Sequence, residues 1–231
     1  IIVHAEANRT DFMYTFPRIR PSSIRVVPHL AIPYRAWPEH PIQETARRDL
    51  GLRPDGVYFL FFGSIRHYKG LDILLDAFQQ AHLPGVHLLI TGLPETPTDI
   101  QLVERARQIP SVCVTSGYIP YSDLWRYYLS ADACIIPYRA ITQSGALFTG
   151  MEFALPIIAT AVGALPESID GNGWIVPPEN PAALASAMTE AAADRERLKQ
   201  MGSRSRQLLE ERHSGAAVAT QTLAIYRELV G

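Results

Sequence analysis

The chain has 231 residues, of which 47% are hydrophobic and 19% charged, and its 21 basic and 23 acidic side chains give a formal net charge of −2. This composition is typical of a globular protein and excludes a disordered or collagen-like chain, while the near-neutral charge disfavours a broad basic surface for nucleic acid. No apolar run reaches the ~18 residues of a membrane-spanning helix, and the first residues lack the basic start of a signal peptide.

The beginning of the chain reads as two short strands and a connection. Residues 1–4 and 24–27 are short apolar runs. The proline-rich stretch 28–41 indicates a linker or crossover, and residues 43–50 read as a short helix. Because the chain opens without Met on residues that already resemble a strand, we expect it to be part of a longer protein.

From residue 57 onward, strand-like and helix-like segments alternate. Residues 57–63 are continuously apolar, as in a strand buried on both faces, and an apolar stripe with helical spacing follows at 71–78. Further strands are predicted at 86–92, 111–117, 133–137, 156–160 and 173–177, with helices between them and three more helices at 181–190, 194–211 and 214–229. Cys113 and Cys134 lie in two of these strands and are predicted to be reduced core thiols. This order predicts an α/β fold with a parallel sheet, in which ligands bind at the carboxyl ends of the strands.

The first loop of chemical interest spans residues 63–70. Arg66 and Lys69 lie just before a helix, whose N-terminus attracts anions, so the two cations suit a diphosphate. The alternative is a solvated loop with two ordinary surface charges. The loop contains neither a Walker A motif nor G-x-G-x-x-G, which weakens a dinucleotide interpretation.

The second loop leads from residue 137 into a helix. Ser144 is a plausible N-cap, and the amides after it, at Gly145 and Ala146, would face a ligand. Thr149 and Glu152 lie one and two turns further on and could face sugar hydroxyls. An ordinary capped helix with a solvent-facing Glu152 is the alternative.

A third loop, residues 116–120, offers Tyr118 and Ile119 as contacts for a nucleobase, although the sequence alone favours a structural turn here. The sequence shows no Asp-x-Asp motif and no metal-ligand spacing, so we expect no metal. Glu167 is expected to stabilise the start of its own short helix.

The segments FFGSIRHYKGLDILLDAF, HLLITG, SGYIPYSDLWRYYLSADACIIPY and LPIIATAVGALPESIDGNGWIVPPENPAAL closely resemble the donor-binding half of family 4 glycosyltransferases of the GT-B fold. The resemblance implies a Rossmann-like domain over residues 56–213, a remnant of the N-terminal domain over 1–35 and a linker over 36–55. It also implies that helix 214–231, with Val218, Thr222, Ile225 and Leu229 on one face, returns to the N-terminal domain.

In that family, the loop after the first strand of this half holds the donor diphosphate, which implies this role for Gly63, Ser64, Arg66 and Lys69. Many members have the arginine where this chain has Ser64, so the implication is stronger for Lys69 than for Arg66.

The paired glutamates of the family are missing from this chain. The two matching positions fall on Ile141 and Thr149. The T-Q-S-G motif at residues 142–145 resembles a branch of the family that uses backbone amides in place of the first glutamate. This resemblance implies phosphate contacts at Ser144, Gly145 and Ala146. Ribose or sugar contacts then fall to four side chains: Thr142, Gln143, Thr149 and Glu152.

The resemblance implies sugar transfer from a UDP-, GDP- or ADP-type donor to a hydroxyl of a glycan or lipid-linked acceptor, with retention of configuration and without metal. The catalytic residues are unknown and expected mainly on the N-terminal domain, so this chain alone should be inactive. We expect a cytoplasmic protein whose intact form could act at the inner face of a membrane. The alternatives are a non-catalytic nucleotide-sugar-binding or interaction module, which the missing acids motivate, and a sugar-nucleotide epimerase of similar fold.

Overall fold

The apolar runs of the sequence form strands, and the amphipathic segments between them form helices. The structure, a computed structural model, describes residues 1–36, 39 and 42–230. Within these residues the strands are β1 (Ile2–Val3), β2 (Arg25–Val26), β3 (Val57–Phe62), β4 (Val86–Gly92), β5 (Val112–Ser116), β6 (Ala133–Ile136), β7 (Ile157–Thr160) and β8 (Gly173–Val176). The α-helices are α1 (Glu6–Thr15), α2 (Gln43–Asp49), α3 (Leu71–Ala81), α4 (Pro97–Arg107), α5 (Leu124–Ser130), α6 (Gly145–Glu152), α7 (Pro181–Ala193), α8 (Arg195–Leu208) and α9 (Gly215–Val230).

Six of these strands form one parallel sheet in the order β5-β4-β3-β6-β7-β8. This arrangement confirms the predicted parallel α/β sheet flanked by helices. The chain runs outward from β3 in one direction, returns to the centre and runs outward from β6 in the other. The strand order therefore reverses between β3 and β6, and such a switch point is where open α/β sheets bind ligands.

The centre of the sheet is the most deeply buried part of the molecule. Phe59 and Leu60 of β3 are fully buried between β4 and β6. Burial of each such side chain stabilises the fold by roughly 1.5–3 kcal/mol. On one face of the sheet, the predicted stripe of α3 is buried as well, through Leu71, Leu74, Leu75 and Phe78.

The prediction for one cysteine was wrong. Both thiols are free, but only Cys134 is buried, and burial raises its pKa to about 12. Cys113 is exposed because β5 is the edge strand of the sheet, where one flank and parts of both faces remain uncovered. A continuous apolar run does not reveal whether its strand lies at the edge.

Residues 1–35, predicted as a remnant of another domain, form a second, small unit. β1 and β2 pair in parallel, and α1 connects them. The chain then passes α8 and α9, where the amide of Ala31 donates to the carbonyl of His213 (2.9 Å). The predicted proline-rich stretch 28–41 lies in part outside the described residues, at positions 37, 38, 40 and 41.

The second half of the predicted linker is part of the main unit. α2 packs on α5, and the buried guanidinium of Arg47 donates to the carbonyls of Ser130 (3.0 Å) and Pro54 (2.6 Å). The same guanidinium forms a salt bridge to Asp132 (2.8 Å). The other domain boundaries stay predictions.

The helices end close to the predicted positions, with one irregularity. Where a helix to residue 211 was predicted, α8 ends at Leu208 and a π-helical turn, Leu209–His213, leads to α9. None of the helices in the described ranges is both long and apolar enough to span a bilayer.

Candidate functional site

The loops that follow β3 and β6 meet at the switch point of the sheet. Gly70 closes the first loop with a left-handed conformation (φ 66°), and its missing side chain is what allows contact with the second loop. A Cβ atom on Gly70 would overlap with the carbonyl oxygen of Pro137. The two loops are therefore fixed to each other through their backbones.

A cleft of about 300 Å³ opens between these loops, and we call it the Lys69 cleft. It brings together residues from both loops and from α5 and α6. Its lining consists of Phe62, Gly63, Tyr68, Lys69, Leu124, Tyr128, Tyr138, Ile141, Gln143, Ser144, Gly145, Ala146 and Thr149.

The Lys69 ammonium is the cation of this cleft. Its Nζ lies 2.7 Å from where a Cβ of Gly63 would be and 5.7 Å from the centre of the Tyr138 ring. Within the described part of the chain, it has no hydrogen bond or salt bridge. Burial, and then the charge of Arg66, lower the pKa of Lys69, while Glu95 opposes the shift. A half-buried ammonium of this kind gains from a bound anion, because the anion supplies the missing counter-charge.

The N-terminus of α6 adds hydrogen-bond donors to the same cleft. Ser144 is the N-cap, as predicted, and its Oγ accepts a hydrogen bond from the amide of Leu147 (3.3 Å). The amides of Gly145 and Ala146 precede the first intrahelical bond and stay available for a ligand. A Cβ on Gly145 would meet nothing within 4 Å, so the space beside this residue is open.

Four of the predicted diphosphate and base contacts do not line the cleft. The guanidinium of Arg66 forms a 2.6 Å salt bridge to Glu95, in the loop after β4, and Arg66 does not line the cleft. The side chain of Tyr118 is 79% exposed and does not line the cleft, and Ile119 packs against the core. Ser64 is half-buried outside the cleft lining.

Two of the predicted sugar contacts lie in the loop that leads into α6. Thr142 is exposed, whereas Gln143 lines the cleft. The Gln143 amide lies 3.4 Å from the carbonyl of His4 and 3.4 Å from the side chain of Asn8, so it faces the small N-terminal unit.

A second pocket of about 260 Å³ adjoins the Lys69 cleft along α6, and we call it the His29 pocket. Its lining is largely apolar and aromatic and consists of His29, Leu30, Ile32, Tyr34, Tyr121, Leu124, Gly145, Phe148, Thr149 and Glu152. Gly145 and Thr149 line both spaces, which are thus neighbours on one helix. Glu152 is only 10% exposed and forms a 3.0 Å salt bridge to Arg206, which balances its charge.

Comparison with known proteins identifies the family. Residues 56–194 match the family model described as Glycosyl transferases group 1. The chain belongs to this family.

Individual members of known name are similar to it over part of their length. The chain is 33% identical over 137 residues to the GDP-mannose:glycolipid 4-beta-D-mannosyltransferase of Xanthomonas campestris, covering 57% of this chain and 39% of the relative. It is 27% identical over 199 residues to O-antigen chain mannosyltransferase C of Escherichia coli, covering 83% of this chain and 53% of the relative. The chain thus spans about half the length of such relatives.

Two solved structures share the fold over nearly the whole chain. Sucrose-phosphate synthase from Thermosynechococcus elongatus superposes with a TM-score of 0.80 and 25% identity over 99% of this chain and 57% of that one. Anabaena HepE in complex with UDP and glucose gives a TM-score of 0.80 and 18% identity over 99% and 62%. These matches confirm that the fold is one half of a GT-B glycosyltransferase.

Sequence reasoning missed several residues of this site and a second role of one residue near it. Tyr138 and Leu124 line the Lys69 cleft, and Tyr121 lines the His29 pocket. The available signal for Tyr138 is an aromatic residue placed directly after a buried strand. Glu167 lies in the first turn of its own short helix, as predicted, but its carboxylate also accepts hydrogen bonds from the amides of Glu6 (2.9 Å) and Ala7 (2.8 Å) at the start of α1. In the part of the chain that the structure describes, no group of three or more His, Cys, Asp or Glu side chains is arranged to hold a metal ion.

Proposed function

We propose that this chain is the nucleotide-sugar-binding part of a glycosyltransferase that moves a sugar from a nucleoside diphosphate to an acceptor hydroxyl. The observation that carries the proposal is the convergence of the Lys69 ammonium and the amides of Gly145 and Ala146 on one cleft. A cation and a helix N-terminus together are suited to a diphosphate. In sugar transfer the diphosphate is the leaving group, and both features would stabilise the charge that develops on it without a metal ion.

The neighbouring spaces suggest how the rest of the donor binds. The nucleoside would lie along α6 in the His29 pocket, where Thr149 offers a hydroxyl and Tyr121 an aromatic surface. The sugar would then lie toward Gln143 at the other end of the cleft. We propose transfer with retention of configuration, with the acceptor bound mainly by parts of the whole protein that face this end.

The names of similar proteins support this donor and acceptor chemistry. The Xanthomonas relative is named for GDP-mannose and a glycolipid, and HepE has been solved with UDP-glucose. A nucleotide-sugar donor is the shared element, and an acceptor hydroxyl on a glycan or glycolipid is the corresponding proposal for the whole protein.

A test of the diphosphate site compares UDP, GDP and ADP as ligands of this chain by calorimetry and thermal denaturation. One of them should raise the melting temperature, because a ligand at 100 times its Kd stabilises the native state by about 2.7 kcal/mol. Lys69→Met should weaken that binding roughly 10–100-fold, the loss expected for a charge-assisted hydrogen bond. Lys199→Met, at a lysine whose side chain is 76% exposed on α8, is the matched control and should bind as the wild type does.

The same variant has an expected effect on stability. Because burial lowers the pKa of Lys69, the folded state disfavours the ammonium form, and this penalty is fully present at neutral pH. The unliganded Lys69→Met variant should therefore be as stable as the wild type or more stable.

In the binding test, equal nucleotide affinity of Lys69→Met and wild type would contradict the proposed site.

A non-catalytic nucleotide-sugar-binding module is the second candidate, because Ile141 lines the cleft at a position where the family resemblance implies an acid. Labelled nucleotide sugars given to the full-length protein separate the two functions. Binding without any transferred label, over a range of acceptors, would favour the module.

A further inference from the structure

The turn that carries Lys69 is held from outside by the segment that follows β6. Residues His67–Lys69 form a single 3-10 turn, too short to fix its own position. The amide of Arg139 donates to the carbonyl of Tyr68 (2.7 Å), and Gly70 rests on the carbonyl of Pro137. The position of Lys69 therefore depends on a loop that is distant from it in sequence.

The side chain of Arg139 adds three further hydrogen bonds to this attachment. Its Nη1 donates to the carbonyl of His67 (2.8 Å) and to Oδ1 of Asp72 (2.8 Å), while Nη2 donates to Oδ2 of Asp72 (2.6 Å). Asp72 lies in the first turn of α3, directly after the Lys69 turn. The guanidinium thus joins both ends of that turn to the loop that precedes α6.

The pair differs from the surface ion pairs of this chain. The side chain of Arg139 is only 17% exposed, and its two parallel bonds to one carboxylate give a fixed geometry. Burial acts to raise the pKa of Asp72, but the hydrogen bonds and charge of Arg139 outweigh it, so the pKa lies below its ordinary value. Asp72 therefore stays ionised throughout the neutral pH range, and its ion pair with Arg139 stays intact.

We propose that Arg139 and Asp72 are positioning residues that set the distance between the Lys69 ammonium and the amides of Gly145 and Ala146. Neither side chain lines the Lys69 cleft. They act through Lys69, by fixing the turn that carries it against the loop that leads into α6. This inference rests on the proposed function, since the distance matters only if one anion is bound from both sides.

The experiment is a double-mutant cycle on nucleotide affinity. Calorimetry measures the Kd of UDP, GDP or ADP, whichever binds the wild type, for Asp72→Asn, Lys69→Met and the double variant. Asp72→Asn should weaken binding about tenfold in the wild-type background and have no effect in the Lys69→Met background, because only the ammonium is displaced. A residue with a merely structural role would weaken binding equally in both backgrounds.

Asp76→Asn is the matched control, because Asp76 lies one turn further along α3 and is paired with Arg105 at the surface. It should leave the Kd unchanged. Arg139→Lys keeps the charge but loses the two-pronged geometry, so it should weaken binding as Asp72→Asn does and fail to rescue it. This variant also covers the case in which Asp72→Asn does not fold.

The outcomes separate the inference from the proposed function. A wild-type chain that binds none of the three nucleotides overturns both. Wild-type binding with an unchanged Kd for Asp72→Asn and Arg139→Lys, or with effects that multiply in the double variant, overturns the positioning role alone.

Discussion

Gly145 lies where an added side chain should weaken binding at the proposed site without lowering the stability of the protein. It begins α6 without a positive φ, and a Cβ atom would enter open space. Gly145→Ala should therefore stabilise the unliganded chain by about 0.4–1 kcal/mol, since alanine restricts the unfolded state. The added methyl group should keep a phosphate from its amide and weaken nucleotide binding at least tenfold, as measured by calorimetry.

Gly215→Ala provides the matched control for this change. Gly215 begins α9, also has no positive φ, and also faces open space, but it lies outside both the Lys69 cleft and the His29 pocket. Both variants should show the same gain in melting temperature, and only Gly145→Ala should lose affinity. Unchanged nucleotide binding by Gly145→Ala would mean that no ligand approaches this amide.

At the scale of elements, His213 joins the π-helical turn after α8 to the segment that crosses from the N-terminal unit. Its Nδ1 donates to the carbonyl of His29 (2.8 Å), and its ring packs on Phe148 at 4.7 Å. Burial lowers the pKa of His213, and the charges of Arg212 and His29 lower it further, although the bond to the His29 carbonyl opposes them.

The direction of this shift predicts acid sensitivity. A histidine whose pKa is lowered by folding is neutral in the native state, so its contribution is complete above the unfolded pKa of about 6.5 and is lost as the pH falls through the lower, folded pKa. The melting temperature of the wild type should fall between pH 7 and pH 5, and that of His213→Gln should fall less steeply. His67→Gln, at an exposed histidine, should keep the wild-type slope.

The helices and strands were largely predictable, because buried apolar residues recur along the sequence with the spacing of the element that buries them. The continuous run of β3 and the stripe of α3 were both identified, and the parallel order predicted that the loops of Lys69 and Gly145 meet. The direction of individual side chains was not predictable. Arg66 turns to Glu95, a partner contributed by the loop after another strand, and no local pattern contains that information.

The partners of Arg139 could not be predicted from the sequence either. Its partners, Asp72 and the carbonyl of His67, lie far from it in sequence and come close only because β3 and β6 are neighbours in the sheet. An arginine three residues after a buried strand was a visible signal, but its role depends on which strand lies next to β6.

At the scale of the whole molecule, Gln143 and Glu167 are two of the side chains that join the N-terminal unit to the six-stranded unit. Gln143 contacts His4 and Asn8, and the carboxylate of Glu167 accepts from the amides of Glu6 and Ala7. The second contact places a negative charge at the N-terminus of α1, where the helix dipole favours it. Gln143 thus lines the Lys69 cleft and contacts the N-terminal unit at the same time.

Glu167→Ala should loosen this connection without disturbing the sheet. The carboxylate is exposed, so solvent limits its contribution to about 1 kcal/mol, and amide hydrogen exchange at Glu6 and Ala7 should become several-fold faster. Exchange in β3 and β6 should stay at the wild-type rate, because neither strand contacts the N-terminal unit through this bond. Glu196→Ala removes another exposed acid, from the first turn of α8, and should leave exchange in α1 unchanged. If both variants left the α1 amides equally protected, the carboxylate would not be what holds α1 against the six-stranded unit.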